Sequence, residues 1–336
     1  MGKKILVTGA SGFIGSFLVE GAIQRNYEVW AGVRVSSSKK YLKDTSIRFA
    51  QLDFSNPALL KRQLRSHKEN HDGWDYVIHC AGVTKCTSQK EFDHGNFVAT
   101  KNFIESLIEV DMVPEKFIYI SSLSVFGPIR EDDYTPICEN DMPAPNTAYG
   151  VSKIKTENYL KNLSNFPYII LRPTGVYGPR ERDYFMMVKS IKRHIDFSAG
   201  YKRQDLTFIY VKDLVQAAFL SIEKDICNRS YFVSDGNVYS SRAFSDLIQK
   251  ELNVSGVMHV KCPLFILKVV SLTAEFTAKL FGKASTLNSD KYKIMKQRNW
   301  QCDISPLVKE LGYKPQYPLE SGVKEIVAWY KEKGWI

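Results

Sequence analysis

The chain reads as an α/β protein built on a doubly wound parallel sheet, followed by a smaller lobe. Three observations carry this. Short apolar, β-branched runs alternate with helical patterns through the first half of the chain. The first of these runs passes through a glycine-rich turn straight into a helical pattern. After Pro173 the alternation loosens. A length of 336 residues accommodates one large unit and a lobe, and 44% hydrophobic residues are ample for a core.

The elements follow in order. Strands are expected over 4–8, 28–33, 47–53, 76–79, 117–121 and 168–172, and helices near 13–25, 57–68, 89–110 and 149–163. Beyond them, helical patterns lie near 182–194, 241–252, 263–281 and 286–298, with short strands over 208–211 and 231–233. The expected organisation is a first domain over 1–173 and a lobe over 174–336, with a segment near 205–222 returning to the first domain. No internal repeat or low-complexity linker interrupts this order.

The glycine turn is Thr8-Gly9-Ala10-Ser11-Gly12-Phe13-Ile14-Gly15, between the apolar run Ile5-Leu6-Val7 and a helical stretch from Phe13 to Ile23. Strand, glycine turn and helix place backbone N–H groups and a helix N-terminus where a dinucleotide pyrophosphate can sit. The spacing is GxxGxxG, one residue wider than the common fingerprint. Gly9 permits the tight turn, Gly12 the approach of the phosphates, and Gly15 close packing of helix on sheet. The alternative is a glycine turn that holds no ligand.

Tyr149 and Lys153 lie four residues apart, on one face of an expected helix. A free tyrosine ionises near ~10, too high for acid–base work at neutral pH. A neighbouring ammonium favours the phenolate and is expected to lower that value. Ser122 ends the apolar run Ile118-Tyr119-Ile120 and could hydrogen-bond the same substrate oxygen. Taken singly, the pair also fits a surface helix, and Ser122 a turn.

With these features the chain resembles the extended short-chain dehydrogenase/reductases, also called NAD-dependent epimerase/dehydratases. The markers stand in order from Lys4 to about Trp335: TGASGFIG at 8–15, Leu52-Asp53, His79-Cys80-Ala81-Gly82, Asn96, SSLSVFG at 121–127, YGVSK at 149–153, LRPTGVYGPR at 171–180 and Tyr210-Val211-Lys212-Asp213. The resemblance implies a Rossmann-type NAD(P)-binding domain with a C-terminal substrate lobe. It implies catalysis by Ser122, Tyr149 and Lys153. It places the cofactor against Gly9, Ser11, Gly12, Phe13, Ile14, Gly15, Arg34, Asp53, Phe54, Ala81, Gly82, Asn96, Tyr149, Lys153, Pro173 and Val176, with no metal. His79 is expected to be a packed strand residue and Asp213 a helix N-cap.

Arg34 stands at the end of the second strand, where NAD users of the family tend to carry an acid, with Ser36 to Lys40 beside it. A guanidinium there suits a 2′-phosphate, so NADP is favoured over NAD; stacking on adenine is the alternative. The reaction is less constrained. Family 4,6-dehydratases follow the catalytic hydroxyl with Asp-Glu, and here Leu123-Ser124 stands there. Gly175 replaces an asparagine, and Leu206 stands where relatives carry a diphosphate-binding arginine. These departures favour reversible hydride transfer on a secondary alcohol or ketone of a fairly apolar small molecule, as in relatives of dihydroflavonol reductases and 3β-hydroxysteroid dehydrogenases. A nucleotide-sugar epimerase is the alternative, and a non-catalytic NADP(H)-sensing module a second. The family also implies a homodimer through the helices near 89–110 and 149–163, the first carrying Phe92, Phe97, Phe103, Ile104, Leu107 and Ile108.

The net charge is +10. Between Val257 and Trp300, eight Lys/Arg face two acids, Glu275 and Asp290. Within this stretch 263–281 is a strongly apolar helical pattern, interrupted by Lys268 and so unlike a membrane span. Burial in the lobe's core is expected; a basic amphipathic surface on anionic lipid and a lid over an apolar substrate are the alternatives. Nucleic-acid binding is not expected, because no recognition module accompanies the charge. The six cysteines (80, 86, 138, 227, 262 and 302) show no CxxC or metal spacing and read as reduced thiols. Met1-Gly2-Lys3-Lys4 leads directly into the first strand, so a cytoplasmic protein without a targeting segment is expected.

Overall fold

The computed structural model describes residues 2–281, 285 and 287–336. In chain order the elements are β1 (Lys4–Thr8), α1 (Phe13–Gln24), β2 (Glu28–Val33), β3 (Arg48–Gln51), α2 (Pro57–His71), β4 (Tyr76–His79), α3 (Gln89–Phe92), a π-turn (Asp93–Val98), α4 (Ala99–Glu109), β5 (Lys116–Ile120), α5 (Ala148–Lys161) and β6 (Tyr168–Pro173). There follow β7 (Gly175–Tyr177), α6 (Asp183–Lys192), β8 (Ile195–Ala199), β9 (Asp205–Leu206), β10 (Phe208–Tyr210), α7 (Val211–Glu223), β11 (Arg229–Val233) and β12 (Tyr239–Ser240). The chain ends with α8 (Ala243–Leu252), β13 (Met258–Cys262), α9 (Leu264–Leu280), α10 (Ser289–Lys296), α11 (Ser305–Leu311) and α12 (Leu319–Glu332).

The chain forms two compact units. The first comprises Met1–Ser122, Ala148–Arg172 and Val215–Tyr231; the second comprises Leu123–Thr147, Pro173–Leu214 and Phe232–Ile336. The expected boundary at 173 is thus one of several points where the chain passes between them.

A seven-stranded sheet has the order β11-β6-β5-β4-β1-β2-β3, as expected of a doubly wound fold. The pairs β1–β2, β1–β4, β2–β3, β4–β5 and β5–β6 are all parallel. Parallel strands covered by helices on both faces are buried on both faces, which is why β1, β4, β5 and β6 read as near-continuous apolar runs, whereas β3 at the sheet edge is only partly buried. Strand order reverses between β1 and β4, and the crevice beyond their carboxyl ends is where such folds bind ligands.

The first unit's core joins Leu6, Val77, Phe103, Ile104, Leu107, Phe117 and Ile170. This bears on the apolar residues named above with the expected homodimer, on the 89–110 helix. Phe92, Phe103, Ile104 and Leu107 are buried in their own chain, Phe97 is half-buried, and Ile108 is exposed. The helix is also not continuous. A π-turn over Asp93–Val98 separates α3 from α4, and Ala99 N–H bonds the His94 carbonyl across it. Such one-residue expansions recur at functional sites.

The second unit has an aromatic core, with Tyr177, Phe208, Tyr210 and Phe244 meeting Ile248, Val323, Ile326 and Tyr330. Two expectations are corrected here. Asp213 is not an N-cap: it lies inside α7, buried, and accepts the backbone N–H groups of Gln316 (3.0 Å) and Tyr317 (2.9 Å). The apolar helix α9 is not a core helix, since only Leu267 and Ser271 are buried along it. Periodicity locates an apolar stripe but does not say what covers it. Of the helix expected over 286–298, residue 286 lies outside the described residues, and α10 forms over Ser289–Lys296. The ribbon β8–β13 and helices α11 and α12 carried too little pattern to be read. Among the described residues, no helix is long and apolar enough to cross a membrane.

Two histidines of the first unit are held uncharged. His67 packs between Trp74 (ring centroids 4.0 Å) and Trp30 (4.4 Å), and burial pushes its pKa down to about 4. His79, a packed strand residue, is pushed down by burial to about 3. The unfolded chain takes up these protons near pH 6.5, before the folded chain does. Stability is therefore complete above pH 6.5 and is lost as pH falls towards 4. The slope is up to about 1.4 kcal/mol per pH unit for each histidine. Urea titrations at stepped pH check this; the acid limb of His79→Gln should be shallower than that of the wild type, and an identical limb would refute the assignment.

Candidate active site

The glycine turn meets the steric test for a phosphate cradle. Gly9 has φ +66° and lies so close to the end of β4 that a Cβ would fall 2.8 Å from the Ala81 nitrogen. A Cβ at Gly15 would collide with the Gly9 carbonyl. Gly12 is the N-cap of α1 and its N–H closes the turn onto the Gly9 carbonyl at 2.9 Å. Ser11 lies in the turn, and Phe13, Ile14 and Gly15 form the first turn of α1, which contains no acid. Only hydrogen fits at Gly9 and Gly15, and the positive end of α1 is left for an anion.

From this cradle a chain of buried hydrogen bonds runs to α5. The Ala81 N–H donates to Thr8 Oγ1 (3.2 Å), and Thr8 Oγ1 lies 2.9 Å from His79 Nδ1. His79 Nε2 lies 2.9 Å from Thr100 Oγ1, whose proton goes to the Asn96 carbonyl (2.6 Å). One tautomer satisfies all of these: His79 carries its proton on Nε2 and accepts from Thr8. Asn96, in the π-turn, accepts from the Val83 N–H (2.7 Å) and donates to the Val83 carbonyl (3.1 Å) and to Ser152 Oγ (2.9 Å). Ser152 Oγ in turn donates to the Tyr149 carbonyl (2.7 Å). Asn96 thereby fixes the loop after β4 to the helix that carries the tyrosine. A Cβ at Gly82 would lie 2.8 Å from Asn96 Oδ1 and 3.7 Å from Lys153 Nζ, so Ala81, Gly82, Asn96 and Lys153 are brought together.

Tyr149, Lys153 and Glu157 repeat every four residues along α5 and share one face. Lys153 is buried; its Nζ donates to the Ile120 carbonyl (2.8 Å) and lies 4.7 Å from the ring centre of Tyr119 and 5.8 Å from that of Tyr149. Burial pushes the Lys153 pKa down to about 8. Tyr149 shows the reverse of the expected shift. Burial holds its hydroxyl well above the ordinary value, the nearby Cys80 adds to this, and a hydrogen bond with Ser122 opposes it. The desolvation of the phenolate outweighs the help of its neighbours, so the resting pair at neutral pH is a phenol beside an ammonium. Cys80, next to both, is itself pushed up to about 11 by burial and stays a neutral thiol.

Glu157 was not singled out in the sequence, although its position four residues after Lys153 marks the face. Its carboxylate accepts Arg172 Nη2 at 2.6 Å, Arg172 Nε at 3.1 Å, and the Ser121 hydroxyl at 2.6 Å. Both members of the pair are essentially solvent-free. Through Ser121 and Arg172 they tie α5 to the residue just after β5, one before Ser122, and to β6, one before Pro173.

Arg34 is exposed just after β2, in a turn closed by the Ser37 N–H on the Arg34 carbonyl (2.9 Å). Asp53 uses Oδ1 to accept the Ser55 N–H (3.0 Å) and hydroxyl, which lower its pKa, and Arg34 adds a smaller lowering. Phe54 turns its ring inward against Phe103 (4.9 Å) and His79 (5.6 Å), so its side chain belongs to the core. Pro173 and Val176 fall in the second unit, at the end of β6 and on β7. No cluster of His, Cys, Asp or Glu that could hold a metal occurs among the described residues.

The sheet reverses its strand order at a glycine cradle, and Tyr149 and Lys153 are gathered beside it. The family model "NAD dependent epimerase/dehydratase family" matches residues 5–233, and the chain belongs to that family. A UDP-glucose 4-epimerase of Vibrio cholerae is 27% identical over 340 residues, covering 97% of this chain and 94% of its own length. The solved UDP-glucose 4-epimerase of Thermotoga maritima, with UDP-glucose, has a TM-score of 0.78 at 22% identity, covering 98% of this chain and 99% of its own. The Bordetella bronchiseptica enzyme WbmG, in complex with NAD and UDP, has a TM-score of 0.78 at 20% identity, covering 99% and 96%.

The buried pair gives a test of what holds the site. Arg172→Leu leaves the buried Glu157 carboxylate only the Ser121 hydroxyl and the Lys161 ammonium at 3.7 Å, and should cost about 3–5 kcal/mol. Adding Glu157→Leu should recover most of that loss. Urea denaturation of the single and double variants measures both, and a single-variant loss below about 1 kcal/mol would show that the pair bears little of the structure.

Proposed function

We propose that this chain is an NAD(P)-dependent nucleotide-sugar epimerase in which Ser122, Tyr149 and Lys153 carry the chemistry. The observation that carries the reading is the assembly of these three side chains beside the glycine cradle, in a chain whose relatives include UDP-glucose 4-epimerases along nearly their whole length. The apolar alcohol expected from Leu206 and Gly175 gives way to the sugar-nucleotide alternative, because the relatives lie there. Elimination remains disfavoured, since Leu123-Ser124 offers no acid and base after Ser122.

The residues present fit a nicotinamide dinucleotide. Gly9, Ser11, Gly12, Phe13, Ile14 and Gly15 would hold its pyrophosphate, Arg34 and Asp53 its adenosine end, and Lys153 its nicotinamide ribose. Ala81, Gly82 and Asn96 would border it. When bound, the nicotinamide supplies a reversible hydride acceptor. Tyr149 exchanges the proton of the sugar hydroxyl, and Ser122 orients that oxygen. The Lys153 ammonium stabilises negative charge developing on the Tyr149 oxygen, offsetting the burial that holds the resting phenol protonated. The exposed guanidinium of Arg34 at the end of β2 supports NADP, where structural neighbours bind NAD.

The test is to incubate the protein with UDP-glucose and each dinucleotide. UDP-galactose should form with no lasting change in nicotinamide absorbance. Stoichiometric accumulation of reduced cofactor, with no epimer, would instead return the chain to the secondary-alcohol dehydrogenases. Tyr149→Phe should lower turnover by about 10²–10⁴ while the fold persists. Because Lys153 holds its proton only below about 8, kcat/KM should fall as pH rises through that value.

Cofactor choice has its own test. Arg34→Ala should weaken NADP binding by about 1.5–3 kcal/mol and leave NAD binding nearly unchanged. Titration calorimetry with both dinucleotides decides it, and equal losses would assign Arg34 to adenine stacking.

A further inference from the structure

Helix α9 leaves most of its apolar side chains in water. It turns Leu267 and Ser271 inward. At 100° per residue, Phe265, Val269, Leu272, Phe276 and Leu280 fall around the opposite side. Phe265, Phe276 and Leu280 are 70%, 64% and 69% exposed, and Ile266 and Val270 widen the arc. Isolated exposed apolar residues are ordinary, but a contiguous arc along about 25 Å of helix is not. The hydroxyls on this arc are turned back onto the helix, Thr273 onto the Val269 carbonyl and Thr277 onto the Thr273 carbonyl, each at 3.0 Å. Neither then needs water on that side.

The rim of the arc is basic. Lys268 and Lys279 lie on one flank of α9, about three turns apart, both exposed. Glu275, the one acid of α9, is neutralised by Lys279 at 2.8 Å and also accepts the Ser289 N–H at 2.8 Å. The ribbon β8–β13, which leads directly into α9, adds exposed Phe197 and Met258 and the exposed Lys261. The whole chain carries +10. A second copy would bring the same lysines and the same net charge against this face, which opposes self-association. An anionic lipid surface offers the complementary charge and an apolar interior together.

We propose that α9 is a peripheral membrane-docking helix that lies in the plane of an anionic bilayer, its apolar arc in the acyl boundary and its lysines against the headgroups. The proposal is independent of the reaction. It places the protein on a lipid surface through one helix lying in the interface.

The experiment is co-sedimentation of the full chain with phosphatidylcholine vesicles and with vesicles that also contain phosphatidylglycerol. The wild type should bind the anionic vesicles, less so at raised salt, and leave the neutral ones largely unbound. The variant Phe265→Ser/Phe276→Ser/Leu280→Ser should partition at least about tenfold less, having lost three membrane-facing apolar side chains. Its thermal midpoint should match that of the wild type, because these side chains touch little of the fold. Lys268→Glu/Lys279→Glu should remove the preference for anionic vesicles. Wild-type protein remaining in the supernatant with both vesicles overturns the proposal, as does equal binding by the triple variant. A wild-type dimer that the triple variant splits, without vesicle binding, assigns the face to a second copy and overturns it as well.

Discussion

Glu157 and Arg172 place opposite charges where the first unit has no water to solvate them, and the site is organised around their mutual satisfaction. A buried carboxylate tolerates burial only when its lone pairs are met, and here a guanidinium fork and the Ser121 hydroxyl meet them. That requirement fixes α5 in rotation and in height against β5 and β6. Once α5 is fixed, Lys153 comes to the Ile120 carbonyl and Tyr149 to Ser122 without further adjustment. The pair contributes to geometry more than to net stability, since an apolar pair of similar volume could fill the same space.

The second support is the hydrogen-bond chain Thr8–His79–Thr100–Asn96–Ser152. It joins the glycine cradle to α5, which carries Tyr149 and Lys153, through groups that are neutral and paired at every step. Low local dielectric strengthens such bonds and makes a missing partner expensive. The cradle and the tyrosine are therefore positioned by the same framework, and the proposed alignment of a dinucleotide with a substrate would depend on it.

Much of this was legible in the sequence where the signal is local. The central strands read correctly because burial on both faces leaves uninterrupted apolar runs. The glycine turn and the Tyr149–Lys153 spacing are contained within a few residues. Glu157–Arg172 was not legible as a pair, because the sheet, not the sequence, brings residue 172 to residue 157. The sense of the Tyr149 shift was missed for a similar reason: the lysine is visible in the sequence and the desolvation is not. Asp213 read as a cap because an acid near a helix start is ordinarily one, whereas its partners lie a hundred residues further on. The stripe on α9 was seen, but the side of the helix facing solvent depends on what the rest of the unit covers.

The π-turn at Asp93–Val98 lets one helical segment satisfy two unrelated demands. Its first part presents Asn96 to the loop after β4 and to Ser152; its second part buries Phe103, Ile104 and Leu107. A regular helix links such faces rigidly, at about 100° for each residue. One added residue resets that phase, so each half presents the face its own partners need. A single deletion within it would turn α4 by nearly a third of a revolution relative to Asn96. The bulge is thus a frame-shift in three dimensions, tolerated because it separates what the core requires from what the chemistry requires.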